Sequence, residues 1–287
     1  MNRTLGPRNV ENFLSETFVI YKNNFLRFTA IVAIVEVPIA ILSFLVRMPM
    51  GFTLEGISAP PLFTPEYILI LIPFGLAAFV AGIVMQGAMI YAISEQYFQQ
   101  PINIGQAYSF AWRRMGAMLG AYFLVLLAVL GLSLTIIGIP AAIYFIIAWV
   151  FMWQTALLEG CGPRAALSHS SALVKQSWWR VLGIVLLFVI IVMTINMILY
   201  IPLAISLVIS VVTAVMTGSA TLAATGPPTW TIIGATIGSI IGNIISIPIF
   251  MTATTLLYYD LRVRKQGYDL NTLSSELGLA APTDAVA

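Results

Sequence analysis

The chain contains 287 residues, of which 60% are hydrophobic and only 8% are charged, and its formal net charge is +2. Soluble domains carry a charge on roughly a quarter of their residues, so a chain this poor in charge could not cover a surface that faces water. Together with a mean hydropathy of +0.98, this composition predicts an integral membrane protein. The small net charge gives no reason to expect a nucleic-acid partner. A single cysteine excludes an internal disulfide, and one cysteine with one histidine excludes the usual zinc spacings.

The first 24 residues predict a polar tail followed by an amphipathic helix. Within 9–24, apolar residues from Val10 to Tyr21 recur with the i, i+3, i+4, i+7 spacing, and charged residues such as Glu11 and Lys22 fall mostly on the other side. This spacing is typical of a helix that lies in the membrane interface. No cleavable signal peptide is visible, so we expect the first apolar run to act as its own signal anchor.

Six apolar runs follow, and each is long enough to cross a hydrocarbon core of about 30 Å as a helix. They lie at about 25–46, 67–93, 116–137, 141–158, 181–212 and 231–258. We therefore predict an all-α, polytopic membrane protein with about six transmembrane helices and amphipathic interfacial helices on the cytoplasmic side. Its three parts are a cytoplasmic tail with the interfacial helix (1–24), a six-span membrane domain (25–258) and a cytoplasmic C-terminal segment (259–287).

Two polar segments between the spans predict further interfacial helices. Pro101 and Asn103 offer a helix start ahead of a modest apolar stripe. Gly162 and Pro163 offer a second start, because proline is favoured at the first helical position. Residues 159–183 are therefore expected to lie at the membrane surface as a helix and to lead into the fifth span.

The distribution of basic residues predicts the orientation of the chain. With six spans, both termini lie on one side of the membrane, and all of the 13 lysines and arginines except Arg47 lie on that side. The positive-inside rule therefore places both termini in the cytoplasm. Four or eight spans would scatter the basic residues over both faces.

A cluster of charged and aromatic residues marks the cytoplasmic ends of the last three spans. Basic residues at the headgroup level attract anionic lipids, and tryptophan is favoured in the interfacial belt. The cluster is a candidate for lipid contacts or for structural ion pairs, and it comprises Glu159, Lys175, Trp178, Trp179, Arg180, Asp260, Arg262 and Arg264. Its lipid contacts have two interpretations, a general attachment to anionic headgroups or a specific pocket. Glu159 also has two interpretations. It either forms an ion pair with Arg180, Arg262 or Arg264, or it binds a ligand.

Two further features lie inside the predicted spans. Glu36 is an acidic residue in the first span, close to Pro38. An ionisable group at that depth suggests proton or cation handling, and the alternative is a hydrogen-bonded glutamate that faces the helix bundle. The helix-packing candidates Gly234, Gly238 and Gly242 form a ridge of small residues in the sixth span. Such a ridge permits close packing of helices, either within the chain, which is favoured, or with a second copy.

Catalytic signatures are absent from the sequence. His169 lies in a polar segment without a nucleophile motif near it, so it is expected to be a surface or interface residue. Cys161 has no catalytic partner that the sequence suggests, and no glycine loop of the phosphate-binding type occurs. We therefore predict a protein that is not an enzyme and that has no catalytic, cofactor-binding or metal-binding residues.

Two motifs carry a resemblance to a known family. The first, E-G-x-G-P-x-x-A-L followed by W-x-x-L, is met by 159–167 and 179–182, and the second, Y-D-x-R-x-x-x-x-G-Y-D, by 259–269. On these motifs the chain resembles the membrane domain that is attached to glycerophosphoryl diester phosphodiesterases of bacteria, and the stand-alone inner-membrane proteins of that group. The resemblance implies a helical membrane module in the bacterial inner membrane. The phosphodiesterase itself would be a separate TIM barrel of about 250 residues, so its catalytic activity is not carried over.

The sequence leaves three functions open. The first is a non-enzymatic membrane module that organises lipids or a partner protein at the cytoplasmic face. The second is a transporter or channel-like protein for a small solute or ion, which would use Glu36 and the proline-broken spans. The third and least supported is a lipid-acting enzyme. Anionic lipid headgroups are the expected partners, and a protein partner or a second copy of the chain is left open.

Overall fold

The computed structural model describes residues 10–47, 52–53, 56–57, 65–136, 138–216 and 229–266. Helices make up nearly all of this described part. They are α1 (Val10–Asn23), α2 (Phe25–Arg47), α3 (Pro65–Tyr97), α4 (Ile104–Ser133), α5 (Gly138–Ala148), α6 (Met152–Leu158), α7 (Pro163–Val174), α8 (Trp178–Met216) and α9 (Thr229–Gln266). Two short strands, β1 (Phe52–Thr53) and β2 (Gly56–Ile57), pair as an antiparallel hairpin.

Six helical stretches of the described chain are long and apolar enough to cross a membrane. They are Phe25–Ser43, Ile68–Tyr97, Ile104–Ser133, Gly138–Leu158, Trp178–Ile201 and Thr236–Lys265. This finding confirms the predicted all-α, polytopic fold. Helix α9 continues past the expected end of the sixth span at 258, as far as Gln266. The end of the second motif (267–269) and the rest of the predicted C-terminal segment lie outside the described residues.

The described residues form two compact units. The first takes its residues from 10–31, 83–190 and 248–266, and the second from 32–82 and 191–247. Helices α2, α3, α8 and α9 contribute to both units, whereas α1 and α4 to α7 belong to the first alone. The charged and aromatic cluster therefore lies in the first unit, and Glu36 and the glycine ridge lie in the second.

Helix α1 packs with the apolar side that its sequence pattern predicts. Phe13 and Ile20 are buried, whereas Glu11 and Lys22 are exposed. The Phe13 ring meets Phe188 of α8 edge-on, with centroids 6.1 Å apart and planes at 84°, which is a preferred geometry for aromatic pairs. The amphipathic helix is thus anchored on α8 through one buried ring.

Helices α4 and α7 begin where the sequence predicts, but α4 runs unbroken from Ile104 to Ser133, so the interfacial helix expected after Asn103 and the third span form one helix. Asn103 caps α4, because its Oδ1 accepts a hydrogen bond from the backbone N–H of Gln106 at 3.2 Å and so satisfies a donor at the helix start. Helix α7 begins with Pro163 at its first position, directly after Gly162. It packs against α4, α5 and α6 and buries Leu173 among them, so protein covers part of the helix that was expected at the membrane surface.

The predicted fourth span is interrupted. Helix α5 ends at Ala148, and α6 begins at Met152 after a turn. The buried hydroxyl of Ser170, in α7, donates to Ala148 O at 2.9 Å and accepts from the N–H of Phe151 at 3.2 Å. A side chain from another helix therefore satisfies backbone groups that the break leaves without helical partners. The prediction of one continuous helix over 141–158 is corrected to two helices with a turn between them.

Candidate functional site

A surface groove of about 700 Å³ lies in the first unit, where α7 leads into α8. It is bounded by α5, by the turn between α7 and α8 and by the first turn of α8. Its lining residues are Pro140, Ile143, Tyr144, Lys175, Gln176, Ser177, Trp178, Trp179 and Arg180. Four residues of the cluster predicted from the sequence thus line one groove, together with three residues of α5 that sequence reasoning did not connect with them.

Aromatic rings form one wall of the groove. The Trp178 indole stacks on Tyr144, with centroids 5.8 Å apart and planes at 15°, and its Nε1–H donates to Tyr144 O at 3.3 Å. Trp179 lies edge-on to Trp178 at 4.8 Å and is 79% exposed. An exposed indole with an apolar body and a polar N–H suits the interface between water and lipid.

A lysine and the start of a long helix also line the groove. Lys175 is exposed and has no acidic partner among the described residues. Helix α8 makes its first helical hydrogen bond from the N–H of Val181 to Ser177 O, at 2.9 Å. The N–H groups in the first turn of a helix have no acceptor in a preceding turn, and the helix dipole is positive at this end. An ammonium group and the positive end of a helix dipole therefore border the same groove, which suits an anion.

Asp260 holds Arg180 at the edge of the groove. It is only 6% exposed, and its Oδ2 accepts a hydrogen bond from Arg180 Nη2 at 3.1 Å and forms an ion pair with Arg264 Nε at 3.0 Å. A carboxylate between two guanidinium groups offsets part of both positive charges. Arg180 is thus a fixed and partly neutralised cation, and Lys175 is the more available charge in the groove.

Glu159 is connected to Arg262 of the cluster through a tyrosine. It ends α6, and its Oε1 accepts a hydrogen bond from the Tyr258 hydroxyl at 2.8 Å. Arg262 Nη1 donates in turn to the Tyr258 oxygen at 3.0 Å. The other carboxylate oxygen of Glu159, Oε2, contacts Nδ1 of His169. The sequence predicts an ion pair of Glu159 with Arg180, Arg262 or Arg264. Asp260 of α9 pairs with Arg180 and Arg264 instead, and Tyr258 lies between Glu159 and Arg262.

Side chains that sequence reasoning kept apart converge beside this contact. One donor atom each from Glu159, Cys161 and His169 lies within 4.8 Å of the other two. The three residues, named here the donor cluster, include the only cysteine and the only histidine of the chain. Sequence reasoning missed the cluster because it looked for repeated cysteine and histidine ligands and left the carboxylate out. A local signal existed, since all three residues lie within 159–169, around a glycine turn.

Gly160 makes this turn possible. Its φ of +63° lies in the left-handed region that side chains other than hydrogen rarely adopt. The guanidinium of Arg114 lies against it, with Nη1 donating to Leu157 O at 2.6 Å and to Leu158 O at 3.3 Å. A Cβ at position 160 would lie 2.6 Å from the same Nη1. The glycine therefore lets Arg114 cap the last carbonyl groups of α6.

The environment of the Cys161 thiol is that of a structural cysteine and not of a nucleophile. It is half-buried and donates to Thr155 O at 3.5 Å. Burial raises the pKa of this thiol above its ordinary value, and the charge of Glu159 adds to the rise. The thiol is therefore protonated at neutral pH, and a protonated thiol is a poor nucleophile. This speaks against a catalytic dyad of Cys161 with His169.

In the second unit, Glu36 has a hydrogen-bonding partner. It is half-buried, and its Oε2 accepts a hydrogen bond from Asn243 Nδ2 at 3.1 Å. On the same helix α9, Ser246 Oγ accepts a bond from Asn196 Nδ2 of α8 at 2.9 Å. Hydrogen bonds of this kind between helices are typical of membrane proteins. The contact favours the structural interpretation of Glu36.

Two of the three glycines in the ridge, Gly238 and Gly242, face α8. A Cβ on Gly242 would lie 2.5 Å from Asn196 Oδ1, and a Cβ on Gly238 would lie 3.7 Å from Leu199 O. No described atom lies within 4 Å of the corresponding position at Gly234. Helices α8 and α9 of this chain therefore approach closely at Gly242.

The chain matches no protein-family model, no curated protein and no solved structure. Its function is therefore inferred from the groove and from the side chains around it. The resemblance to the membrane domain of the phosphodiesterases stays a prediction.

Proposed function

We propose that this membrane protein binds the headgroup of an anionic lipid in the groove between α5, α7 and α8, and that it acts by this binding and not by catalysis. The observation that carries the proposal is the meeting of Lys175, the first turn of α8 and the exposed Trp179 around one groove. A lipid phosphate carries the negative charge that an ammonium group and helix N–H groups bind. The indole would lie at the depth of the headgroup, where tryptophan is enriched.

The lining of the groove favours a lipid over a free anion. Ile143 and Tyr144 of α5 face the same space as Lys175. A small inorganic anion would gain little from this apolar wall, whereas the upper part of an acyl chain would be removed from water against it. The presence of both charged and apolar residues in the lining thus matches the two parts of a phospholipid.

In this proposal the groove lies at the cytoplasmic surface of a bacterial inner membrane. The basic residues support this orientation, since all except Arg47 share one side when six spans are crossed. The chain would then be a stand-alone form of the membrane module that it resembles, without the phosphodiesterase. Its role would be to gather anionic lipid at that surface.

Replacing Lys175 with glutamine is expected to weaken the retention of anionic lipid about fivefold, because a basic residue near an anionic surface contributes about 1 kcal/mol. Native mass spectrometry of the purified protein measures this when phosphatidylglycerol is titrated in, with phosphatidylcholine as the zwitterionic reference. Arg164→Gln is the matched control, since Arg164 is exposed at the start of α7 and lies outside the groove. Equal losses in the two variants would refute the proposal, because general surface charge would then explain them.

Glutamine at position 36 is expected to leave the stability nearly unchanged, because its side-chain oxygen accepts the same hydrogen bond from Asn243. Leucine there should lower the free energy of unfolding by about 1–3 kcal/mol, since the Asn243 amide loses its partner. Denaturant unfolding in detergent measures both. A loss of ion or solute flux through vesicles in Glu36→Gln, at unchanged stability, would contradict the structural role and favour a transporter.

A further inference from the structure

The donor cluster unites a carboxylate, a thiol and an imidazole at one point of the first unit. Its three donor atoms lie within 4.8 Å of one another. The side chain of His169 is 51% exposed and that of Glu159 is 14% exposed, so a solute can reach the cluster from outside. The cluster is separate from the groove, and nothing in the lipid proposal uses its three side chains.

The backbone around the cluster is held in place by several independent contacts. Glu159 ends α6, Gly160 reverses the chain with its positive φ, and α7 then runs back beside α6. Thr155 Oγ1 of α6 donates to Ala166 O of α7 at 3.0 Å. This contact fixes the two helices against each other one turn before His169. The three donors are therefore brought together by packed helices and not by a loose loop.

A buried tyrosine orients the carboxylate of the cluster. Tyr258 is fully buried, and its hydroxyl donates to Glu159 Oε1 at 2.8 Å. Arg262 donates to the tyrosine oxygen and so fixes the direction of its O–H. The second oxygen, Oε2, is thereby left toward His169. Metal-binding carboxylates and imidazoles are commonly held in this way by a further hydrogen bond behind them.

We propose that Glu159, Cys161 and His169 bind one borderline-soft divalent transition-metal ion, with Zn²⁺ as the best match. Sulfur and imidazole nitrogen are ligands for Zn²⁺, whereas Mg²⁺ and Ca²⁺ prefer oxygen alone. Three protein ligands leave one tetrahedral position for water, as in open zinc sites. The ion releases the thiol proton on binding and takes the place of the direct contact between Glu159 and His169. The carboxylate and the thiolate then balance its two positive charges.

A cobalt titration tests the site directly. The full-length chain, purified in mild detergent with a non-chelating reductant and freed of metal, is titrated with Co²⁺ and then with Zn²⁺ as a competitor. The proposal predicts one Co²⁺ per chain, a thiolate-to-cobalt charge-transfer absorption, and loss of that absorption when Zn²⁺ is added. Cys161→Ser should remove the absorption, and His169→Gln should weaken binding by more than tenfold.

Two further variants separate the site from general effects. Tyr258→Phe keeps the buried ring but removes the hydrogen bond to Glu159, and it should weaken binding roughly 10–100-fold. Ser168→Gln changes the exposed neighbour of His169 and should leave binding unchanged. Because His169 is exposed, His169→Gln is expected to fold normally, which circular dichroism checks.

The proposal is overturned if the folded wild-type chain fails to saturate at one Co²⁺. It is equally overturned if the affinity of His169→Gln equals that of the wild type. Both results leave the lipid proposal untouched, since lipid retention is measured through Lys175 in the groove.

Discussion

Asparagine at position 260 is expected to lower the free energy of unfolding by about 2–3 kcal/mol, somewhat below the value typical of a fully buried ion pair. Asp260 is 6% exposed, and a single oxygen, Oδ2, pairs with both Arg180 and Arg264. The asparagine keeps the shape of the side chain but leaves the two guanidinium groups facing each other without a negative charge between them. Unfolding by denaturant in detergent measures the loss.

Arg264→Gln is the control for this prediction. It removes one of the two ion pairs and leaves Asp260 paired with Arg180, so a loss of less than about 1 kcal/mol is expected. If Asp260→Asn were as mild as Arg264→Gln, Asp260 would not hold Arg180 at the groove as described. The order of the two losses therefore reports which charge organises this part of the molecule.

Alanine at position 160 is expected to destabilise the protein by about 2 kcal/mol, for two reasons that act together. The φ of +63° is strained for any residue with a Cβ. The new Cβ would also lie 2.6 Å from Arg114 Nη1, so the guanidinium must leave Leu157 O and Leu158 O. The midpoint of thermal unfolding in detergent should fall, and the donor cluster should lose its alignment.

Serine at position 162 is the matched change in the same turn. Gly162 has an ordinary φ of −66° and caps the start of α7, and no atom of the described residues lies within 4 Å of its Cβ position. Serine is a favoured residue at a helix N-cap, so the stability should stay the same or rise slightly.

In an Arg114→Ala background, Gly160→Ala should lower the stability by less than it does in the wild type, because only the backbone strain remains. A loss of equal size in both backgrounds would contradict the role given to Arg114.

The helices that the sequence predicts correctly are those set by local patterns. Helix α1 follows from a periodic apolar face, and the cap of α4 follows from Asn103 near a proline. The six apolar stretches follow from their length and composition alone. These properties depend on neighbours within a few turns, so a single sequence contains them.

What the sequence could not reveal depends on contacts between distant segments. The break in the fourth span is stabilised by Ser170, whose hydroxyl reaches Ala148 and Phe151 from another helix. Tyr144, in the helix before the break, stacks on Trp178 of α8 and so forms one wall of the groove.

The candidate site was predictable in its composition but not in its pairing. Lys175, Trp178 and Arg180 stand close together in the sequence and line the same groove. The partner of Arg180 was not predictable, because Glu159 and Asp260 both lie at the end of a span and only packing decides between them. The donor cluster depended in the same way on the fold of α7 back along α6.

The most direct test of the lipid-binding groove is to map where a photoreactive anionic phospholipid attaches to the chain in vesicles. The proposed function predicts that peptides containing Tyr144, Trp178 and Trp179 carry most of the adducts, and that Lys175→Gln reduces these adducts while Arg164→Gln does not. A zwitterionic photoreactive phospholipid should label the groove much less. Adducts spread evenly over the apolar helices, with equal labelling by both lipids and no effect of Lys175→Gln, would contradict it.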